Sequence, residues 1–286
     1  MEEIIKKADV LIEAMPYIKA FRNKIFVIKY GGKIILSETA QKNLLEDLIF
    51  LYFVGIRPVL VHGGGPFINQ RAAQLGRVAK FVEGRRVTDE TMIKIVEDTL
   101  KEINQKLVSM VKELGVEARG WEGRKEEIIR VKKKMEGEID LGFVGEITEI
   151  NSQPIKTALR EKAIPIIAPL GKGKDKLTYN VNADEVAAAI AVNLKAEKLI
   201  ILTDTKGILR NPEDEGSLIS TLTQKEVEEL IERKVIQSGM IPKVKACIEA
   251  LGGGVKKTHI VDGRISHVIL LEIFTDKGIG TEIVKG

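Results

Sequence analysis

The stretch Phe26-Val27-Ile28-Lys29-Tyr30-Gly31-Gly32 reads as a strand that runs into a glycine turn. Its three consecutive apolar residues form the short run expected of a buried strand. Gly31 and Gly32 carry no Cβ, so the backbone there turns sharply and approaches a ligand closely. Successive N–H groups exposed in such a turn make a concave anion site, and a nearby helix N-terminus strengthens it. Lys29, at the carboxyl end of the strand, adds a compact positive charge to the same space. Strand, lysine and glycine pair together predict a cradle for a phosphoryl group. A plain strand-ending turn with a surface lysine is the other reading of this stretch alone.

The same pattern returns twice. Residues 58–62 form a second apolar run, Gly63-Gly64-Gly65-Pro66 follows, and a helical pattern continues to residue 75. Residues 198–203 form a third run, very apolar, closed by a turn at 204–207. Helical patterns also cover 39–54, 89–114 with Asp89 as its cap, 152–162, 183–194, 223–233, 241–251 and 267–273. Further strands are expected at 164–168, 259–261 and 280–284. Residues 116–150 mix β-branched residues with Gly and charge, which predicts short antiparallel strands. Residues 78–88 read as a hairpin or loop, and 171–176 as a flexible basic tip. Strands alternating with helices predict an α/β fold, a three-layer αβα sandwich on a mainly parallel central sheet. Ligands then sit outside the carboxyl ends of the strands, so the three glycine turns are expected to crowd one edge. A boundary near 170–180 divides the chain into a lobe at 23–175 and a lobe at 176–286.

Before the first core strand, Ile4, Ile5, Ala8, Leu11, Ile12 and Met15 form one apolar stripe at helical spacing. Pro16 is expected to bend or end that helix. An apolar stripe on an appendage at 1–22 needs a partner, either its own domain or another subunit.

Composition narrows the function. The chain has 286 residues, 44% hydrophobic and 30% charged, with a net charge of only +4 and mixed signs throughout. With four Tyr and one Trp for base stacking, this is no nucleic-acid platform. The single cysteine, Cys247, excludes an internal disulfide and reads as a buried inert thiol in a reducing interior. The three histidines lack metal-ligand spacing. No apolar run reaches membrane-spanning length and no signal peptide is visible, so the cytoplasm is expected.

Three further stretches carry chemistry. Gly63-Gly64-Gly65 costs chain entropy, and close backbone approach to a ligand explains it; a tight strand-to-helix turn is the structural alternative. Neither a GxGxxG nor a GxxxxGK[ST] spacing is present. Arg85-Arg86 precedes the Asp89 cap, and an arginine fork matches the two oxygens of a carboxylate. For Arg85 the plain reading, a solvated arginine or a surface salt bridge, fits well. Tyr179-Asn180-Val181-Asn182-Ala183-Asp184 opens a small-residue helix: Asn182 is placed to cap it, Asn180 offers an amide to a polar ligand, and Asp184 is either a helix-dipole carboxylate or one that holds two lysines. The second lysine is Lys243, at the head of a helix after Ser238-Gly239-Met240. With Lys29 it would flank a phosphoryl group.

KYGG, VHGGGP, GRRVTD, NVNAD, LTDTKGIL and GMIPK, in this order and at these intervals, resemble the amino acid kinase family. The likeness covers residues 20–286. It implies transfer of the ATP γ-phosphoryl group to the side-chain carboxylate of N-acetyl-L-glutamate, giving an acyl phosphate in arginine biosynthesis. It implies that Lys29 and Lys243 stabilise the transferring group and that Asp184 orients them. Gly64, Gly65, Arg86 and Asn180 would hold the amino acid, in the 23–175 lobe and its junction. Gly31, Gly32, Thr203, Asp204, Lys206, Gly207, Gly239 and Met240 would hold ATP, largely in the 176–286 lobe. Mg2+ would be held mainly through the phosphates, with no metal site of the protein's own. The N-terminal helix and the closing run 274–281 resemble the arginine-inhibited, hexameric branch of the family. That implies arginine as effector at Tyr17, Lys198, Glu272 and Gly278, and a homo-oligomer with a dimer core that the helix at 1–22 joins into a hexamer. Lys33, where many relatives have a small residue, and the highly charged stretch 120–126 depart from the family pattern. A kinase for carrier-bound aminoadipate, glutamate or aspartate is the nearest alternative, and a non-catalytic arginine or nucleotide sensor a more distant one.

Overall fold

The computed structural model describes residues 2–82, 84–123, 127–211, 213–275 and 278–286, with residues 2–8 and Ser238 described through their backbone. Residues 124–126 of the charged stretch, and 276–277 of the closing run, lie outside the described residues.

The strands are β1 (Ile25–Tyr30), β2 (Arg57–His62), β3 (Phe81–Val82), β4 (Arg85–Arg86), β5 (Ala118–Trp121), β6 (Ile129–Glu136), β7 (Ile139–Ile150), β8 (Ile164–Ile167), β9 (Leu170–Gly173), β10 (Thr178–Asn180), β11 (Lys198–Thr203), β12 (Thr221–Thr223), β13 (Lys257–Asp262) and β14 (Thr281–Val284). The α-helices are α1 (Glu2–Phe21), α2 (Glu38–Phe53), α3 (Gly65–Gln74), α4 (Glu90–Glu113), α5 (Gln153–Arg160), α6 (Ala183–Leu194), α7 (Gln224–Glu232), α8 (Ile241–Gly252) and α9 (Val268–Ile273). Eight strands form one sheet in the order β12-β14-β13-β11-β1-β2-β8-β5. Neighbours run parallel except β13 and β14. β1 is internal, bonded to β2 on one side and β11 on the other.

Period-two alternation sorts each strand's side chains between two helical layers. Phe26, Ile28 and Tyr30 join a core built with α2, α4 and α9. Val27, Val59, Leu199 and Ile201 join the opposite core, built with α5, α6, α7 and α8. Lys29 has the parity of Val27, so it projects toward α6, and this decides the chemistry below.

Three expectations are corrected. Pro16 does not end α1, which continues to Phe21. The proline only withholds a donor from the Ile12 carbonyl one turn back, on a turn where the Ile12 side chain is exposed. Beyond it Tyr17, Ile18 and Phe21 pack on the core, and the Phe21 ring meets Phe26 edge-on at 5.2 Å. Residues 171–176 are no flexible tip. Gly173 N–H donates to Leu177 O, and the Tyr179 hydroxyl donates to Asp175 at 2.6 Å, so they close a tight hairpin from β9 to β10. Of the strands expected in 116–150, β5 instead joins the main sheet in parallel beside β8. β6 and β7 are antiparallel as expected and close a small barrel with β9 and β10 over the edge of the sheet.

Candidate active site

The glycine turns after β1 and β2 lie against each other: a Cβ on Gly31 would stand 3.4 Å from the Gly63 Cα. They floor a cavity of about 230 Å³ whose walls include Lys29, Gly32, Gly63, Gly64, Gly65, Phe81, Arg86, Gly145, Asn180 and Asp184. Gly64 is required by packing, because a Cβ there would meet Leu100 Cδ2 at 2.6 Å. Leu100 and Ile103 of α4 therefore press the turn toward the cavity. A larger cavity, about 490 Å³, opens at the amino ends of β2 and β8 beside Tyr52, Arg57 and Arg160, and no expected site residue borders it.

Asn182 caps α6, its side-chain oxygen accepting from Asp184 N–H and Glu185 N–H. The cap fixes the first turn, so Asp184 points at β1. Its Oδ1 lies 2.9 Å from Lys29 Nζ and its Oδ2 3.5 Å from Lys243 Nζ. Burial on its own would raise the Asp184 carboxyl; the Lys29 charge and then the Lys243 charge outweigh it and hold the group below its usual range. Lys243 also donates to the Gly239 carbonyl, tying it to the turn that precedes α8. One carboxylate thus sets the spacing of two ammonium groups at the edge of the cavity.

At the other side sits Arg86, 7% exposed. Its guanidinium lies over the Phe81 ring, 4.8 Å from the centroid, and Nη2 makes a long 3.4 Å bond to the Gly65 carbonyl. Nη1 is buried and, among the described residues, has no hydrogen-bond partner. Burial lowers the pKa of this guanidinium, which marks a cation short of negative neighbours. Arg85 is salt-bridged as its sequence reading expects, and is half-buried rather than at the open surface. It bridges Glu136 of the barrel hairpin and Glu185 of α6, at 3.2 and 2.8 Å.

Thr203 ends β11 and Asp204, Lys206 and Gly207 follow it, on the far side of β1 from Gly63–Gly65. The Thr203 hydroxyl donates to Asp204 at 3.4 Å, and Lys206 pairs with Glu215 at 2.8 Å. Gly207 has φ of 138° and lies against Thr281, whose hydroxyl accepts from Ile208 N–H. At the end of the neighbouring β13, Arg264 forks onto both oxygens of Asp262. Sequence reasoning passed over Asp262, Arg264 and Phe81, whose only signal is position beside a strand end.

The four effector candidates gather away from this cavity. Lys198 Nζ lies 2.8 Å from His259 Nε2 and 5.3 Å from the Phe21 ring centroid, and Tyr17 stacks on Phe21. His259 Nδ1 lies 2.7 Å from Glu272 Oε1, while Glu272 Oε2 accepts from Ile279 and Gly280 N–H. Gly278, at φ 57°, leaves room for that carboxylate. Burial lowers Lys198 to about 8. His259 and Phe21, which link the four, were not singled out from sequence.

Among the described residues no helix is long and apolar enough to cross a membrane, and no group of three or more His, Cys, Asp or Glu is placed to hold a metal. A sequence profile of the amino acid kinase family matches residues 24–262. Acetylglutamate kinase of Desulforamulus reducens is 49% identical over 282 residues, 98% of each chain. Acetylglutamate kinase of Carboxydothermus hydrogenoformans is 47% identical over 98% of this chain and 99% of its own. Among solved structures, N-acetylglutamate synthase from Neisseria gonorrhoeae, in complex with coenzyme A and N-acetyl-glutamate, superposes with a TM-score of 0.86 at 28% identity. That match covers 98% of this chain and 63% of the synthase.

Proposed function

The chain belongs to the amino acid kinase family, and on that premise we propose that it transfers the γ-phosphoryl group of ATP to the side-chain carboxylate of N-acetyl-L-glutamate. The observation that carries this reading is Asp184 held between Lys29 and Lys243, across one cavity from a buried arginine whose Nη1 lacks a partner.

An N-acetylated glutamate brings two carboxylates. Arg86 takes the α-carboxylate, supplying the partner its free Nη1 lacks, and Asn180 hydrogen-bonds the amide. The side-chain carboxylate is then the nucleophile. A glutamate side chain is ionised at neutral pH, so no general base is required. A carboxylate oxygen bonds to the γ-phosphorus as the bond from that phosphorus to the β,γ-bridging oxygen breaks, and ADP leaves with the electron pair. Such transfer depends on alignment and on neutralising charge at the equatorial and bridging oxygens. Lys29 and Lys243 do this as ammonium groups, and the N–H groups of Gly32, Gly64 and Gly65 add donors. Asp184 is engaged by both lysines, so Mg2+ would be held through the ATP phosphates, whose charge it would offset. ATP lies along Gly31, Gly32, Thr203, Asp204, Lys206, Gly207, Gly239 and Met240. In this assignment residues 23–175 serve mainly the amino acid and 176–286 mainly the nucleotide, with Asn180 and the Gly31-Gly32 turn reaching across.

We extend the reading to regulation in the cytoplasm. Arginine binds at Tyr17, Lys198, Glu272 and Gly278, and the exposed side chains of Val10, Leu11, Ile12 and Met15 on α1 join dimers into a hexamer. The N. gonorrhoeae synthase, also solved with L-arginine, supports the first part by likeness.

The test is ADP release from Mg-ATP with N-acetylglutamate, set beside glutamate, aspartate and aminoadipate, with arginine titrated in. Turnover with N-acetylglutamate alone supports the assignment, and turnover with another acceptor alone overturns it. Insensitivity to arginine removes the effector site.

A further inference from the structure

His62 is fully buried at the end of β2, and the chemistry above does not use it. Its Nδ1 lies 2.9 Å from the carbonyl oxygen of Gly63. Its Nε2 lies 3.1 Å from Nδ2 of Asn104, a buried amide on α4. The same amide nitrogen also donates to the Ile166 carbonyl of β8 at 3.0 Å, which fixes it as the NH2 end. Gly120 of β5 leaves space for the other end, since a Cβ there would meet the Asn104 side-chain oxygen. Asn104 is thus held by two strands and presents a donor to His62. An imidazole facing a donor at Nε2 must accept there and carry its proton on Nδ1. That proton is given to Gly63 O.

The geometry points to His62 and Asn104 as positioning residues for phosphoryl transfer. The Gly63 carbonyl and the Gly64 N–H belong to one planar peptide, and in a trans peptide they point in opposite directions. Holding the carbonyl against the buried imidazole therefore aims the Gly64 N–H away from it, into the cavity that Gly64 lines. Among the described residues this N–H has no acceptor. We propose that the neutral Nδ1–H imidazole of His62, oriented by Asn104, sets the direction of the Gly64 donor on the transferring phosphoryl group. The role rests on the kinase reading above.

The surroundings keep this imidazole neutral. Burial lowers its pKa to about 4, against a small rise from the Gly63 carbonyl. On β1 its register partner Tyr30 is a buried phenol bonded to Ile34 O, and the ammonium of Lys29 faces Asp184. On α4 Glu102 and Lys106 are exposed and Lys101 is half-exposed; on β5 Arg119 pairs with Glu161 at the surface. No described residue of β8 is charged.

Two measurements test the proposal on the full-length enzyme. The first is the 15N spectrum of the imidazoles, of which there are three. With the His62 signals assigned by their persistence in His259→Gln and His267→Gln variants, that ring is expected to be protonated at Nδ1 and neutral through pH 5, and an Nε2–H tautomer of His62 overturns the proposal. The second compares wild type with Asn104→Leu and Asn104→Asp. Asn104→Leu frees the tautomer and should lower kcat roughly 10- to 100-fold, with KM for both substrates within about threefold, as for a misaimed transition-state donor. Asn104→Asp places a carboxylate at Nε2. The protonated imidazole then still donates from Nδ1, but on losing one proton it keeps the other on Nε2. Its kcat should match wild type at low pH and fall as pH rises, a limb absent from wild type. A folded Asn104→Leu variant with wild-type kcat, or an Asn104→Asp profile parallel to wild type, overturns the proposal. If wild type ignores N-acetylglutamate, the substrate reading falls. The variants are then compared on whichever acceptor supports ADP release, and failing any, the tautomer decides.

Discussion

Replacing Asp184 by Asn tests the centre of the site in two ways at once. The substitution keeps size and removes the charge between two ammonium groups. Lys29, Lys243 and Asp184 have side chains only 6%, 18% and 7% exposed, so little water replaces that charge. At 2.9 and 3.5 Å each attraction has a gross strength of about 5 kcal/mol at an effective dielectric of ~20. Desolvation offsets much of this, and breaking such a buried group by removing one partner costs about 3–5 kcal/mol. For a chain of this length that lowers Tm by roughly 5–8 °C. Turnover should fall on the order of 10²–10³-fold, because the lysines lose their spacing around the transition state, with KM changed only a few-fold. The stability loss has a signature: ADP or pyrophosphate restores negative charge to the lysines, so either should raise Tm of the variant more than that of wild type. Differential scanning fluorimetry with and without ADP, alongside ADP-release kinetics, reads both effects. A variant melting within about 1 °C of wild type, with kcat within threefold, would refute the argument.

Arg86→Ala should raise KM for the amino acid about 10- to 100-fold, the worth of a charge-assisted bond to a carboxylate, and leave KM for ATP nearly unchanged; steady-state kinetics with each substrate varied would expose a purely nucleotide effect, which contradicts the assignment. Gly64→Ala drives a methyl into Leu100 and should cost about 1–3 kcal/mol while tilting the turn, so that both Tm and kcat drop; pairing it with Leu100→Ala should recover Tm. Asp47 is buried, its carboxyl raised to about 6 chiefly by burial, against bonds from His267 and Ile269 N–H. A folded-state pKa above the unfolded one means stability present below about pH 4 is lost as pH rises through 6, so the urea stability of Asp47→Asn relative to wild type should increase by up to about 3 kcal/mol over that window. A flat difference would show that the carboxyl is not perturbed.

β1 and β2 were legible because each runs straight into glycine, and glycine after an apolar run has few explanations. Asp184 and Lys243 were legible only as motif members. Their meeting depends on Lys29 having the parity of Val27 and on the Asn182 cap, which spacing does not reveal. His62 and Asn104 lie 42 residues apart, and an Asn within a helical pattern looks like any solvated residue until the strand beside it is known. β5 has four residues, too few for a period, so nothing announced its place in the main sheet. At Pro16 the local rule was sound, yet packing of Tyr17, Ile18 and Phe21 beyond it outweighs one missing hydrogen bond in an exposed turn. The salt bridge read for Arg85 is present, but its partners come from the barrel and from α6, both remote in sequence, so its partial burial was not legible.

The internal position of β1 has a mechanical consequence. Ile25–Tyr30 register with β2 on one flank and Phe26–Lys29 with β11 on the other, so the turn proposed to meet the acceptor and the turn proposed to meet the nucleotide hang from one hydrogen-bonded ladder. Swinging the two halves apart as rigid bodies would require tearing that ladder along its length. On the proposed assignment, β1 would act as a fixed ruler between the acceptor turn and the nucleotide turn.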